Sequence, residues 1–422
     1  MNDSLSRLQS VIDASGLWRG ERAQTHKILL SPSVHRITES QRAGLESLGV
    51  ALGECLRGLS HIAVIAYEQS ANHRGTWAKI RQIFSTGVPR IYHQFQAIRI
   101  RDIPRLLKLD LMVDTEGQFR IAEIDGHNKH GVGYSTLGMK FRDVLSSGST
   151  TLPGVAKLIA EDVRLMKHSE VNIFYADQER FYIPEFEIAQ REIESHGVGC
   201  RLFSEMEATT EMLQSGLFLD LPFLYQKPAF YEAIGAAYRA GRVRFIIPPK
   251  PFLGAKAVLA LLRNDSRNPK VEAILQAFID DEMLRIVRRY IPPTFFVGKQ
   301  ALRIHDVEKL VSSRNYVLKE FISSGMKGTV FSTDPDFVAM LARADRAGMN
   351  YILQEEVLNQ PQEFSWFDGQ NDSSELRTSA DWFMRVTVHY VNSGLADIIV
   401  TARRDKAVHG GKDCLQLGTI VI

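Results

Sequence analysis

The chain has 422 residues, enough for two or three domains, and its 45% hydrophobic and 24% charged content is that of an ordinary globular protein. With 51 Lys+Arg against 49 Asp+Glu the formal net charge is +2, which excludes a global field for nucleic acid or an anionic membrane and leaves room only for local basic patches. The three cysteines, Cys55, Cys200 and Cys414, are far apart and match no metal spacing, so a disulfide framework is not expected and a reducing compartment fits.

The N-terminus, Met1 to Arg7, lacks the charged-then-apolar layout of a signal peptide. Apolar runs such as Phe218 to Tyr225 are too short to span a bilayer. A cytoplasmic protein without membrane or nucleic-acid partners is expected.

Residues 1 to 60 read as helical, with Asp3 or Ser4 as a cap and apolar residues at helical spacing from Ser40 to Leu59. Ile62 to Tyr67 has a buried-strand pattern, and Pro89 to Ile100 reads as a strand or extended loop. The clearest signal is a hairpin: Leu107 to Asp114 alternates, Thr115-Glu116-Gly117 turns, and Gln118 to Asp125 alternates again. A Gly-rich loop follows, then a helix from Thr136 to Ser146.

Val171–Tyr175, Pro184–His196 and Val198–Phe203 read strand–helix–strand, the order of a parallel α/β layer. Leu217–Gln226, a helix from Tyr231, and Val243–Ile247 continue it. After Pro248–Pro251 the sequence predicts helices over Ala255–Leu262 and Val271–Arg289. A strand over Tyr316–Lys319 and a Gly/Ser loop through Gly328 come next. A helix over Asp334–Ala347 and a strand over Tyr351–Val357 follow, then a last hairpin, Trp382–Val391 and Ala396–Arg403, around Asn392-Ser393-Gly394.

Glu123 and Asp125, two apart on a strand, share a face, and the turn can bring Asp110 beside them. Clustered carboxylates repel unless a cation joins them, and Mg²⁺ takes carboxylate, phosphate and water oxygens; a solvated acidic face is the alternative. Lys319 ends a strand beside the Ser323–Thr329 loop, whose glycines allow backbone N–H groups to approach phosphate. The loop does not have the Walker spacing. Lys256 opens a helix after Gly254, and Arg385 lies in an apolar strand where a charge needs a partner.

Together these residues resemble an ATP-grasp enzyme. Most ATP-grasp proteins place two phosphate lysines first, then an adenine-binding strand, then an Asp…Glu-x-Asn metal set. Here Asp110, Glu123 and Asp125 come first, Lys256 and Lys319 follow, and the hinge-like strand Gln354-Glu355-Glu356-Val357 comes after them. That order resembles the circularly permuted group that includes glutathionylspermidine synthase. There an Arg-x-Asp strand precedes a Glu-x-Asn strand; here they read Lys108-Leu109-Asp110 and Glu123-Ile124-Asp125. Lysine thus replaces arginine, aspartate replaces asparagine, and neither that enzyme's substrate residues nor an amidase domain is recognisable.

The resemblance spans residues 60–145 and 170–422. It implies an α/β (α+β), circularly permuted ATP-grasp fold with a Rossmann-like pre-ATP-grasp domain. The divisions would be 1–165, holding the helices and metal-binding half of the core, 166–250, the pre-ATP-grasp-like domain, and 251–422, the lid and remaining core. Lys256 and Lys319 would bind phosphates, while Lys327 with the backbone of Gly325 and Gly328 would form a lid. Gln354, Glu355 and Val357 would meet adenine. Asp110, Glu123 and Asp125 would hold Mg²⁺, and Lys108 and Arg385 would serve the transferring phosphate.

The implied activity is ATP- and Mg²⁺-dependent joining of a small-molecule or peptide carboxylate to an amine through an acyl phosphate. A phosphotransferase of the same fold and an inactive nucleotide-binding scaffold are the alternatives. Arg74, Arg99 and Arg403 could clamp a substrate carboxylate, although a structural role suits each. His127 and His130 follow the metal strand and could touch substrate or metal, or be structural. Trp366, Trp382, Tyr134 and Phe383 read as packing residues.

Overall fold

The computed structural model describes residues 2–17, 28–69, 75–96, 102–146, 152–222, 228–299, 301–323, 328–367, 375–410 and 413–422. Its centre is a mixed sheet in the order β1 (His35–Ile37), β15 (Leu415–Val421), β14 (Gly394–Arg403), β13 (Leu376–Val391), β2 (Leu106–Val113) and β3 (Phe119–Asp125). A further strand, β12 (Gln362–Phe367), pairs with the start of β13. β1 runs parallel to β15; the other pairings are antiparallel.

The β2–β3 hairpin forms as its sequence predicts. Asp114 closes the turn, its carboxylate accepting the Glu116 and Gln118 amides at 3.0 and 2.8 Å. Leu107, Leu109 and Leu111 are buried on one face, leaving Lys108 and Asp110 on the other. On β3 the buried positions are Phe119, Ile121 and Ile124, so the alternation slips by one residue. The cause is a bulge: Asp110 faces Glu123 but Leu111 faces Ile121, and Ala122 has no partner across the ladder. The last hairpin also forms, with Asn392 and Ser393 both at positive φ, as a two-residue turn requires.

The apolar back of this sheet is covered by a single long helix, Glu39–Gln69, with the helices Ala257–Arg263, Pro269–Phe278 and Asp281–Tyr290 beside it. Ile62–Tyr67, expected as a strand, is the last part of that helix. Leu59, Ile62, Ala63 and Ala66 are buried at helical spacing, so the apolar run continues the stripe. By length and composition this helix could cross a membrane, contrary to the reading of the apolar runs, but 67% of its apolar window is buried within the protein. It approaches β13 closely at Gly49: an added Cβ would lie 2.3 Å from the Tyr390 ring, whose hydroxyl donates to the Leu45 carbonyl at 2.8 Å.

A four-stranded antiparallel sheet, β10 (Thr329–Phe331), β9 (Tyr316–Glu320), β11 (Met349–Glu355) and β8 (Thr294–Gly298), packs its own core against the helices Ile304–Val311 and Phe337–Arg346. A second four-stranded sheet, β5 (Gly199–Ser204), β4 (Glu170–Tyr175), β6 (Gly216–Phe218) and β7 (Val243–Phe245), is wholly parallel, as its strand–helix–strand order predicts.

A buried polar strut ties this layer to the loop after β3. Lys129, fully buried, reaches Glu179 at 3.1 Å and Asp220 at 3.3 Å. Next to it the Glu185 carboxylate accepts the Gly131 and Gly133 amides at 2.9 and 3.1 Å. Burial raises the Asp220 carboxyl to about 6, while Lys129 and His130 overcome burial at Glu179 and draw it down to about 2.

Other expectations are corrected. Residues 90–96 of the expected Pro89–Ile100 strand are short helical turns, and 97–100 lie outside the described residues. The strand expected over Leu217–Gln226 is limited to β6, with 223–226 outside the described residues. The helix expected over Val271–Arg289 is two, because Asp280 breaks it and caps the second by accepting the Glu282 and Met283 amides.

The Gly49 contact makes a stability prediction. Gly49→Val forces two branches toward the Tyr390 ring and is expected to lower unfolding free energy by about 1–3 kcal/mol, read by urea denaturation.

Candidate active site

The polar face of the central sheet meets the small antiparallel sheet at the β3 bulge. The unpaired Ala122 offers its carbonyl to Lys319 Nζ at 2.9 Å, and the Ile121 carbonyl accepts from Gln354 Nε2 at 3.1 Å. Lys319 Nζ also donates to Gln354 Oε1 at 2.6 Å. Two backbone acceptors exposed by the bulge thus hold β9 and β11 against β3.

Two clefts open from this junction. The first, about 1100 Å³ of empty space, lies between the sheets and reaches along Gln354–Gln360. Met112, Val317, Phe331, Val357, Leu358 and Val408 give it apolar walls, and Lys256, Lys319, Asp110, Glu123 and Arg385 gather at its inner end. The second, about 1520 Å³, shares Asp110, Glu123, Lys256, Thr329 and Arg385 and runs over the central sheet toward His389, Tyr134 and Tyr182. An apolar slot ending in convergent charges is the usual form of a ligand site.

At the junction every carboxylate has its own cation. Lys256 Nζ lies 2.8 Å from Glu123 and 3.1 Å from the Ser323 carbonyl. Arg385 lies 3.2 Å from Asp110, which also accepts from the Thr387 hydroxyl at 2.7 Å. Lys108 lies 2.7 Å from Asp125. Burial opposes the charge on Asp125, but Lys108, His127 and Asn128 outweigh it and hold the carboxyl far below the usual carboxylate range.

Of the three carboxylates expected to hold a metal, Asp125 is committed to other partners in this arrangement. Asp125 gives both oxygens to Asn128 at 2.8 Å, one also to Lys108 and the other to His127. Among the described residues no group of three His, Cys, Asp or Glu side chains could hold a metal. Asp110 and Glu123, opposite each other across the ladder and both at the meeting of the clefts, are the oxygen donors that fit such an ion.

Other expected residues are distributed as follows. Lys256, Lys319, Gln354, Glu355, Val357 and Arg385 all line the first cleft. The Glu355 amide is engaged with the Pro293 carbonyl at 2.8 Å and its carboxylate with Arg314 at 2.9 Å, so neither is free for a base. Lys108 lines only the second cleft, which it shares with Lys256 but not Lys319. The carbonyl of Gly328 accepts the Glu320 amide at 2.8 Å. Lys327 and Gly325, together with Arg74 and Arg99, lie outside the described residues.

Arg403 sits in neither cleft but in a hollow beside Trp366 and Trp382, in contact with His409. His127 and His130 do line the second cleft, as does Tyr134, which was read as packing. Thr387, His389, Thr401 and Gln416 were not singled out from the sequence; their signal is alternation along β13, β14 and β15. The cysteines are unbridged and buried, and burial pushes Cys55 and Cys200 up to about 12, leaving no thiolate there.

No family model and no curated protein matches the chain. Among solved structures it is distantly similar to a candidate gamma-glutamylcysteine synthetase from Methylobacillus flagellatus KT. The two share 10% identity and a TM-score of 0.37, over 78% of this chain and 84% of that one. An overlap this loose transfers no activity, and the mixed α/β architecture stands on the strands and helices themselves.

Burial draws the Lys319 ammonium down to about 8, with the charge of Lys256 adding to the effect. The unfolded chain keeps this proton to the ordinary lysine range near 10.5. The unfolded state therefore binds more protons between these values, and unfolding free energy rises with pH across that window. The contribution is at most roughly 3 kcal/mol. Lys250, also drawn to about 8 by burial, adds a similar component. Lys319→Met is expected to flatten the rise without abolishing it, measured by urea unfolding at about pH 7.5 and about pH 10.

Proposed function

We propose that this protein is an ATP-dependent ligase that joins a carboxylate to an amine through an acyl phosphate. The observation that carries this reading is the junction itself. Two buried lysines and Arg385 converge with Asp110 and Glu123 where an apolar slot opens into a second, polar cleft.

In this reading the adenine lies between Met112, Val317 and Val357, and the phosphates extend to Lys256 and Lys319. A lysine is a compact charge suited to a phosphate oxygen. Both would turn from their present acceptors, Glu123 and Gln354, toward the nucleotide. Magnesium bound at Asp110 and Glu123 would offset phosphate charge.

The substrate carboxylate, in the second cleft, attacks the γ-phosphorus in line and ADP leaves. Arg385, 3.2 Å from Asp110, stands where it can steady the charge on the transferred group. The amine then attacks the acyl carbon, phosphate leaves, and the amine's proton passes to solvent. The chain's main contribution is positioning and charge neutralisation.

Thermal-shift titration tests the reading. Mg·ATP is expected to raise the melting temperature of the wild type, because a ligand bound only by the folded state stabilises it. Lys319→Ala should lose the shift, and Glu123→Gln should lose its dependence on Mg²⁺. Hydroxylamine added with ATP and pooled carboxylic acids should yield hydroxamates. An absence of any nucleotide shift in the wild type would overturn the assignment, and a stable phosphorylated product without hydroxamate would make the protein a phosphotransferase.

A further inference from the structure

β13 carries Arg385, Thr387 and His389 on its cleft face, two residues apart. Thr387 is committed, its hydroxyl donating to Asp110. The other two are not fully satisfied. Arg385 Nε and both ring nitrogens of His389 are buried without a hydrogen-bond partner among the described residues. His389 is 1% exposed yet lines the second cleft. Buried polar atoms in native proteins nearly always have partners, because leaving one unmade carries the full desolvation penalty.

The groups flanking His389 are paired elsewhere: Asp397, across from it on β14, accepts from the Ser135 hydroxyl and the Ile398 amide. Lys108 lies directly across the ladder, but its ammonium is engaged with Asp125 at 2.7 Å and the His130 carbonyl at 3.3 Å. On the loop side stands Gly131, at φ +107°, where an added Cβ would be 3.0 Å from His389 Nε2. With no side chain at Gly131, no Cβ stands between the loop and the buried Nε2. Burial holds the imidazole down to about 3, so it is neutral, with one nitrogen donating and the other accepting.

The spacing adds a length. Four residues of extended strand separate Arg385 from His389, roughly 13 Å. We propose that the second cleft takes an elongated carboxylic acid whose reacting carboxylate lies at the Arg385 end and whose uncharged hydrogen-bonding group, at a distance of that order, is held by His389. This rests on the ligase reading and assigns His389 as the residue that sets substrate length. A short acid fills the reacting end and leaves the imidazole unsatisfied.

The test uses N-acetylglycine, N-acetyldiglycine and N-acetyltriglycine as acids, with Mg·ATP and hydroxylamine, reading hydroxamate. Each residue adds roughly 3.5 Å of reach. Yield is expected to rise along the series in the wild type. In His389→Leu the ratio of longest to shortest should fall roughly tenfold. His389→Gln, which keeps a donor and an acceptor, should restore part of it. A flat or absent series, or a ratio unchanged in His389→Leu, overturns the proposal, provided the wild type shows its Mg·ATP thermal shift. Loss of that shift instead removes the ligase reading itself.

Discussion

The site depends on one irregularity in a strand. β3 is the edge of its sheet, so in an even ladder with β2 its carbonyls would alternate between β2 and the outside, and two successive ones would not both face outward. The bulge turns the Ile121 and Ala122 carbonyls outward to Gln354 and Lys319, and so joins two sheets that share no strand. It also resets the alternation, so that Ile121 and Ile124 both reach the core while Glu123 and Asp125 stay on the polar face. Bulges that re-aim side chains are common beside functional sites for this reason.

Charge is handled differently in two places. In the strut, Lys129, Glu179 and Asp220 are held by one another and by backbone amides, and removing one member would leave an uncompensated charge at a cost of about 3–5 kcal/mol. In the clefts the pairs Lys256–Glu123 and Arg385–Asp110 border open space. The first arrangement fixes the loop after β3 against the parallel layer, and the second keeps partners that can be changed.

Local patterns made part of this legible. The alternation of Leu107 to Asp125, with its turn, placed Asp110, Glu123 and Asp125 on one face, and Asn392–Gly394 marked the last hairpin. The bulge itself left a sign, since Phe119, Ile121 and Ile124 break strict alternation. Ile62–Tyr67 misled because an apolar run too short to show its period fits strand and helix equally. The carboxylates' true partners were not legible, because Lys256 meets Glu123 across 133 residues and Asp110 meets Thr387 across 277. Cross-strand register decides such pairs, and a single sequence does not print it. His389 sits among apolar neighbours on β13, and its unmatched ring nitrogens arise from tertiary packing that the sequence does not carry.

The pairing at the junction has a further consequence. Because Lys256 and Lys319 already hold protein oxygens, an anion entering the slot exchanges with those oxygens instead of finding bare cations. Its affinity is a difference between two sets of contacts, so weak anions such as chloride gain little there. Each lysine that turns away also frees the oxygen it held. If, as proposed, a phosphate draws Lys256 from Glu123, a carboxylate would be uncovered beside it, where a divalent cation would be bound between the two. The junction is thus its own counter-ion, and under the proposed reading it would favour a ligand that brings anion and cation together.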